Sequence, residues 1–134
     1  MKIKRVEHIA VAVDDLEKSK AILIDLFGLK LEYEEKINTT KLAMFPVGET
    51  YVELLHSDDP TSRTRQWIAN NGQGLFHLCF EVDDIAGALE ELKAKGVKLL
   101  NETPINGHNN SKIAFINPES TGNMLIELVE LAHA

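Results

Sequence analysis

The stretch that decides the fold is His8-Ile9-Ala10-Val11-Ala12-Val13-Asp14-Asp15-Leu16, because the chain writes it again as His77-Leu78-Cys79-Phe80-Glu81-Val82-Asp83-Asp84-Ile85. In both copies a strand-like run rich in β-branched and apolar residues breaks at an acidic pair, and a helical pattern follows. This is the signature of a strand feeding an Asp-capped helix. Each half then closes on a similar phrase, Tyr51-Val52-Glu53-Leu54-Leu55 in one and Leu125-Ile126-Glu127-Leu128-Val129 in the other. His8 and His77 therefore occupy equivalent places, and so do Glu53 and Glu127. Two imidazoles and two carboxylates form a donor set suited to a hard or borderline divalent cation. A repeat that duplicates ligands as well as scaffold points to one metal site on a pseudo-twofold axis.

Outward from these phrases, the first half reads as a strand over residues 3–13 and a helix capped by Asp14 or Asp15. Leu16, Ala21, Leu23, Leu26 and Phe27 supply the apolar face of that helix, and Gly28 ends it. Strands are expected at residues 29–36, 41–46 and 50–56, with a turn at 46–49. The second half repeats the order: a strand at 75–82, and a helix capped by Asp83 or Asp84 that runs through Leu89, Leu92 and Ala94 and closes at Gly96. Strands at 97–100, 112–116 and 123–131 follow. The sequence thus predicts β-α-β-β-β twice, in repeats 1–56 and 74–131. A connector at 57–73 holds a short helix anchored by Trp67 and Ile68. One helix and ~60 residues give a half too little core to stand alone, so residues 1–134 are expected to fold as one domain. The loop at 103–110, rich in Asn with Pro104 and Gly107, reads as mobile or ligand-covering.

The composition bounds the function. With 44% hydrophobic and 26% charged residues the chain is of ordinary globular type. A net charge of −7 argues against nucleic acid as a partner. The single Cys79 excludes an intrachain disulfide framework and fits a reducing compartment. No apolar run marks a membrane span or a signal peptide, so the cytoplasm is the expected location.

Strand alternation places the candidate ligands. His8, Ala10 and Ala12 share one face, with Ile9, Val11 and Val13 opposite. His77, Cys79 and Glu81 oppose Leu78, Phe80 and Val82. The small neighbours leave room in front of each imidazole. Glu127 sits among apolar residues, where a carboxylate is expensive unless paired or bound to a cation. The other histidines are weaker candidates: His56 reads as loop after its strand, His108 as a solvated loop residue, and His133 as tail.

The phrases HIAVAVDDL, FPVGETYVELLH, GLFHLCFEVDDI, KGVKLL and KIAFINPESTGNMLIELVE resemble the vicinal oxygen chelate superfamily, most of all its methylmalonyl-CoA epimerase branch. The resemblance spans almost the whole chain. It implies an α+β fold of two paired βαβββ modules forming an open, curved, eight-stranded mixed sheet around a metal. It implies His8, Glu53, His77 and Glu127 as ligands of a divalent ion such as cobalt, zinc, nickel or manganese, a small-molecule thioester substrate, and a homodimer. The implied activity is epimerisation of an acyl-CoA, methylmalonyl-CoA above all, by abstraction of the C2 proton and passage through an enolate. A glyoxalase I type lyase and a non-catalytic small-molecule binder of the same fold are the alternatives. The chain departs from the epimerase pattern at Ile37-Asn38-Thr39-Thr40, where many members have Gly-Val, and at Asn117-Pro118-Glu119, where His-Pro-Lys is usual. Some members carry a catalytic Glu near the start of the third strand, but residues 37–41 hold no carboxylate and Lys41 is their only charge. The catalytic candidates are therefore Glu53 or Glu127, doubling as base, and Lys41. For Lys41 a cation contacting the substrate carboxylate is a better role than a neutral base, with a solvent-facing Lys as the remaining alternative.

Overall fold

The structure, a computed structural model, describes residues 1–132; His133 lies outside the described residues. The elements are β1 (Ile3–Ala12), α1 (Leu16–Phe27), β2 (Tyr33–Ile37), β3 (Thr40–Val47), β4 (Thr50–His56), α2 (Arg63–Asn71), β5 (Gly74–Val82), α3 (Ile85–Ala94), β6 (Ile105–Asn106), β7 (Lys112–Ile116) and β8 (Ile126–Glu130). The eight strands form one sheet in the order β2-β3-β4-β1-β5-β8-β7-β6. β1/β4 and β5/β8 are parallel, whereas β2/β3, β3/β4, β6/β7 and β7/β8 are antiparallel. The α+β, eight-stranded mixed sheet that the family resemblance implies is present. No described helix is long and apolar enough to cross a membrane.

The chain divides into two compact units, one of His8–Phe76 and one of Met1–Glu7 with His77 onward. The connector at 57–73 belongs to the first unit, and the opening residues of β1 belong to the second.

In the first unit Asp15 caps α1 by accepting from the Lys18 N–H at 3.0 Å, and Gly28 closes it at φ 68°. That left-handed conformation costs glycine least. Val13, Ala43, Phe45 and Leu54 form the core, with Leu16 and Leu23 of α1 and Leu29 and Leu31 packed against it. Only this narrow stripe of α1 reaches the sheet. Ala21, Leu26 and Phe27, expected on the buried face, are exposed, Leu26 by 72% and Phe27 by 69%. β2 begins at Tyr33 rather than at residue 29, because Leu29 and Leu31 are spent on packing before pairing starts. α2 is capped by Ser62 and anchored by Ile68, and Trp67 tilts against Phe76 with ring centroids 5.3 Å apart, as its sequence predicts.

In the second unit Asp84 caps α3 through the Gly87 N–H at 3.0 Å. Ile85, Ala88 and Leu89 bury against Val82, Ala114, Ile116, Ile126 and Leu128. Two expectations fail here. Residues 97–100 are not a strand: Leu99 makes one isolated bridge to Ile116, and Val97 and Leu99 pack on the α3 core. The Lys98 N–H goes to the Ser120 hydroxyl instead of to a ladder. The strand of that position is β6, two residues inside the segment read as loop.

Candidate metal centre

The two units build the same local device. In the first, β1 and β4 run parallel with Ala10 opposite Glu53. In the second, β5 and β8 run parallel with Cys79 opposite Glu127. Ala10 and Cys79 each lie two residues after the histidine of their strand. So in both units the glutamate faces a small residue on the neighbouring strand, on the side of the sheet that carries the imidazole. Ala10, Ala12 and Cys79 are completely buried, and a larger side chain there would fill the space beside each pair.

The pairs are closed to solvent. His8 is 1% exposed, Glu53 4%, His77 7% and Glu127 3%. His8 Nε2 lies 3.3 Å from Glu53 Oε1 in the first unit. His77 Nε2 lies 2.9 Å from Glu127 Oε1 in the second. The Phe115 ring stands edge-on to His77 at 5.2 Å and 85°, and it sits opposite Glu127 across β7 and β8. That contact fixes the tilt of the imidazole from the side.

These separations test the fit to a divalent ion. Two donor atoms each about 2.1 Å from one ion stand about 3.0 Å apart at a right angle and about 3.4 Å apart at a tetrahedral angle. Both observed pairs fall close to that range, with an imidazole nitrogen and a carboxylate oxygen turned to each other in a dry setting. The donor chemistry, nitrogen and oxygen without thiolate, is that of zinc, cobalt, nickel or manganese sites. The residues fit the implied ion.

The third candidate goes elsewhere. In β3, Lys41 pairs with His56 and Met44 with Glu53, so Lys41 alternates onto the opposite face from Glu53. It is exposed and lies across from Lys36. A Lys41 contact with a substrate carboxylate beside Glu53 is therefore not what the register provides; the solvent-facing alternative is.

Two histidines read differently in space. His56 is the last residue of β4, and its ring bonds the Val13 carbonyl at 3.0 Å and Asp58 at 3.0 Å. His108, expected to be solvated, is 4% exposed with Nε2 3.1 Å from Glu7 Oε1, and Glu7 is itself 1% exposed. The sequence signal for this burial was Gly107, where a Cβ would meet Ile113 Cγ2 at 2.5 Å and Ser111 Oγ at 2.8 Å. Asn109 and Asn110 take φ values of 50° and 60°, which lets the segment fold back on itself. On the His77 face of β5, Glu81 is held by the Arg5 Nε at 2.7 Å.

The chain is similar to several known proteins. Residues 7–115 match the profile of the Glyoxalase/Bleomycin resistance protein/Dioxygenase superfamily. The mitochondrial methylmalonyl-CoA epimerase of Mus musculus is 33% identical over 132 residues, covering 95% of this chain and 73% of its own length. The ethylmalonyl-CoA/methylmalonyl-CoA epimerase of Cereibacter sphaeroides is 29% identical over 133 residues, covering 96% of this chain and 99% of its own. A variant of Streptomyces coelicolor methylmalonyl-CoA epimerase in complex with 2-nitronate-propionyl-CoA superposes with a TM-score of 0.95 at 27% identity, over 99% of this chain and 98% of that one.

Proposed function

The chain belongs to the glyoxalase/bleomycin resistance/dioxygenase superfamily, and from that premise we propose that it is a divalent-metal-dependent epimerase of an acyl-CoA, with methylmalonyl-CoA as the substrate. The observation that carries this reading is the duplicated, buried His–Glu pair at donor separations suited to an ion. Relatives named as epimerases match it over nearly the whole chain.

In this reading His8, Glu53, His77 and Glu127 hold one cation, each offering a buried donor atom. Bound there, the ion supplies Lewis acidity toward the thioester oxygen on which charge develops. The chain's own residues do the rest. Ala10, Ala12 and Cys79 keep the space beside the imidazoles open, while Met44 and Phe115 flank the glutamates in their strand rows. A glutamate carboxylate accepts the C2 proton, and return of a proton to the other face of the planar carbon inverts the centre. A homodimer is part of the proposal. The exposed apolar end of α1, with Leu26 and Phe27, supports it by offering a surface that water solvates poorly.

The test is conversion of (2S)-methylmalonyl-CoA by metal-loaded protein, followed by chiral chromatography. An equilibrium mixture of the two epimers supports the proposal. Turnover of the glutathione–methylglyoxal hemithioacetal instead would make it a lyase, and turnover of neither would leave a binding protein.

A further inference from the structure

α1 differs from its counterpart in the second unit. α3 buries Ile85, Ala88 and Leu89, whereas α1 buries none of its 12 residues. Leu16 and Leu23 pack on the core of the first unit. The face of α1 turned away from that core therefore carries Lys18, Ala21, Ile22 and Asp25, all exposed, with Leu26 beside them. Counted from the capping aspartates, the places of Ala21 and Ile22 are held in α3 by Glu90 and Glu91, which pair with Lys93 and Lys95. A helix face with charge at its centre is a solvated one. α1 instead centres its outward face on apolar side chains, and Ile22 is 42% exposed.

The charges of α1 fall into two pairs. Glu17 and Lys20 bond to each other, and Lys20 also reaches Glu34. Among the described residues Lys18 and Asp25 have no ion pair. Lys18 stands in the first turn and Asp25 in the last, each at the end of the helix whose dipole repels its charge. The helix alone gives no reason for that placement. Seven residues separate them, so they lie on one line along the helix, about 10 Å apart, with Ala21 and Ile22 midway. A twofold axis between Ala21 and Ile22 sets Lys18 of one helix against Asp25 of an antiparallel copy, and does so twice. Each charge then also sits at the pole of the partner helix that attracts it.

We propose that this face of α1 binds a second copy of the chain as an antiparallel helix pair. It supplies the interface of the homodimer in the reading above and does not depend on the epimerase activity. The small Ala21 at the crossing lets the helix axes approach to about 8–10 Å. Ile22 fills the centre, and Leu26 lies between it and the charged ends. A contact made by one 12-residue helix per copy is smaller than the ~800 Å² that each side of a standard interface buries. The dimer is therefore a weak one that dilution separates.

The experiment is sedimentation equilibrium of the full chain at low ionic strength, for wild type, K18E, D25K and an equimolar mixture of the two variants. Wild type is expected to dimerise. Either reversal alone sets like charges opposite each other in both contacts, so its dimer Kd should rise at least about tenfold. In the mixed dimer one contact is native and the other has its charges exchanged, so the mixture should return to within about threefold of the wild-type Kd. Wild type that stays monomeric at every concentration removes the homodimer and this surface together. A wild-type dimer that both reversals leave intact keeps the homodimer and overturns the surface alone. A mixture no tighter than the single variants overturns the pairing of Lys18 with Asp25.

Discussion

Replacing Glu127 by alanine gives the two most separable effects. Glu127 is buried and its Oε1 lies 2.9 Å from His77 Nε2, so E127A leaves a buried imidazole facing a void. An orphaned buried partner costs about 1–3 kcal/mol. For a chain of 134 residues the unfolding entropy is about 0.28 kcal/mol per degree, so the metal-free variant should melt about 4–11 °C lower than wild type. The metal effect is independent of that loss. A cation at about 100 times its Kd adds about 2.7 kcal/mol of stability, which raises the wild-type Tm by about 10 °C. Loss of one ligand weakens binding at least about 100-fold, the upper range for losing a residue that merely supports a ligand. At the same metal concentration the variant then gains about 0.4 kcal/mol, or under 2 °C. Differential scanning calorimetry with and without cobalt or zinc reads both numbers in one series. A metal-induced rise near 10 °C in E127A, equal to wild type, would refute the assignment of Glu127 as a ligand, whatever its metal-free Tm.

Other outcomes follow from the same packing. A10L pushes an isobutyl group into the buried space opposite Glu53 and should cost about 1–3 kcal/mol in thermal unfolding, with weaker metal uptake in a competition titration. L89A removes a side chain from the α3 core and should lower stability by about 2–5 kcal/mol in urea unfolding, with metal affinity unchanged. Lys41 and Lys36 are like charges directly opposite on β3 and β2, so K41E should raise the Tm slightly, by about 0.2–1 kcal/mol of stability, and added salt should shrink the gain. The Asp59 carboxyl is held below its ordinary value, first by the Thr61 backbone N–H and then by the Thr61 hydroxyl. Because the folded value is the lower one, that contribution is present at neutral pH and fades as pH falls through it. An NMR titration should find the Asp59 midpoint below that of an unstructured peptide, and T61V should move it upward.

The repeat made most of the scaffold legible. Asp15 and Asp84 cap their helices, β4 spans the expected residues, and Gly28 takes the left-handed φ its position required. These features are local: a cap, a turn residue and a period-two run are written in consecutive letters. What the sequence concealed depends on partners remote along the chain. Residues 97–100 look strand-like because Val97 and Leu99 are apolar, but the apolarity serves the α3 core rather than a ladder. His108 is buried by Glu7, about a hundred residues before it. Alternation along one strand says which side chains share a face, but only the pairing of Met44 with Glu53 and of Lys41 with His56 says which face is the functional one. That register puts Lys41 on the opposite face from Glu53.

The central claim is that two duplicated pairs serve one ion. Titration of metal-free protein with cobalt, read by ligand-field absorbance and by elemental analysis after gel filtration, tests it directly. The account requires one ion per chain, lost from H8A and from H77A alike. Two ions per chain, or one ion retained at wild-type affinity in either variant, would contradict it.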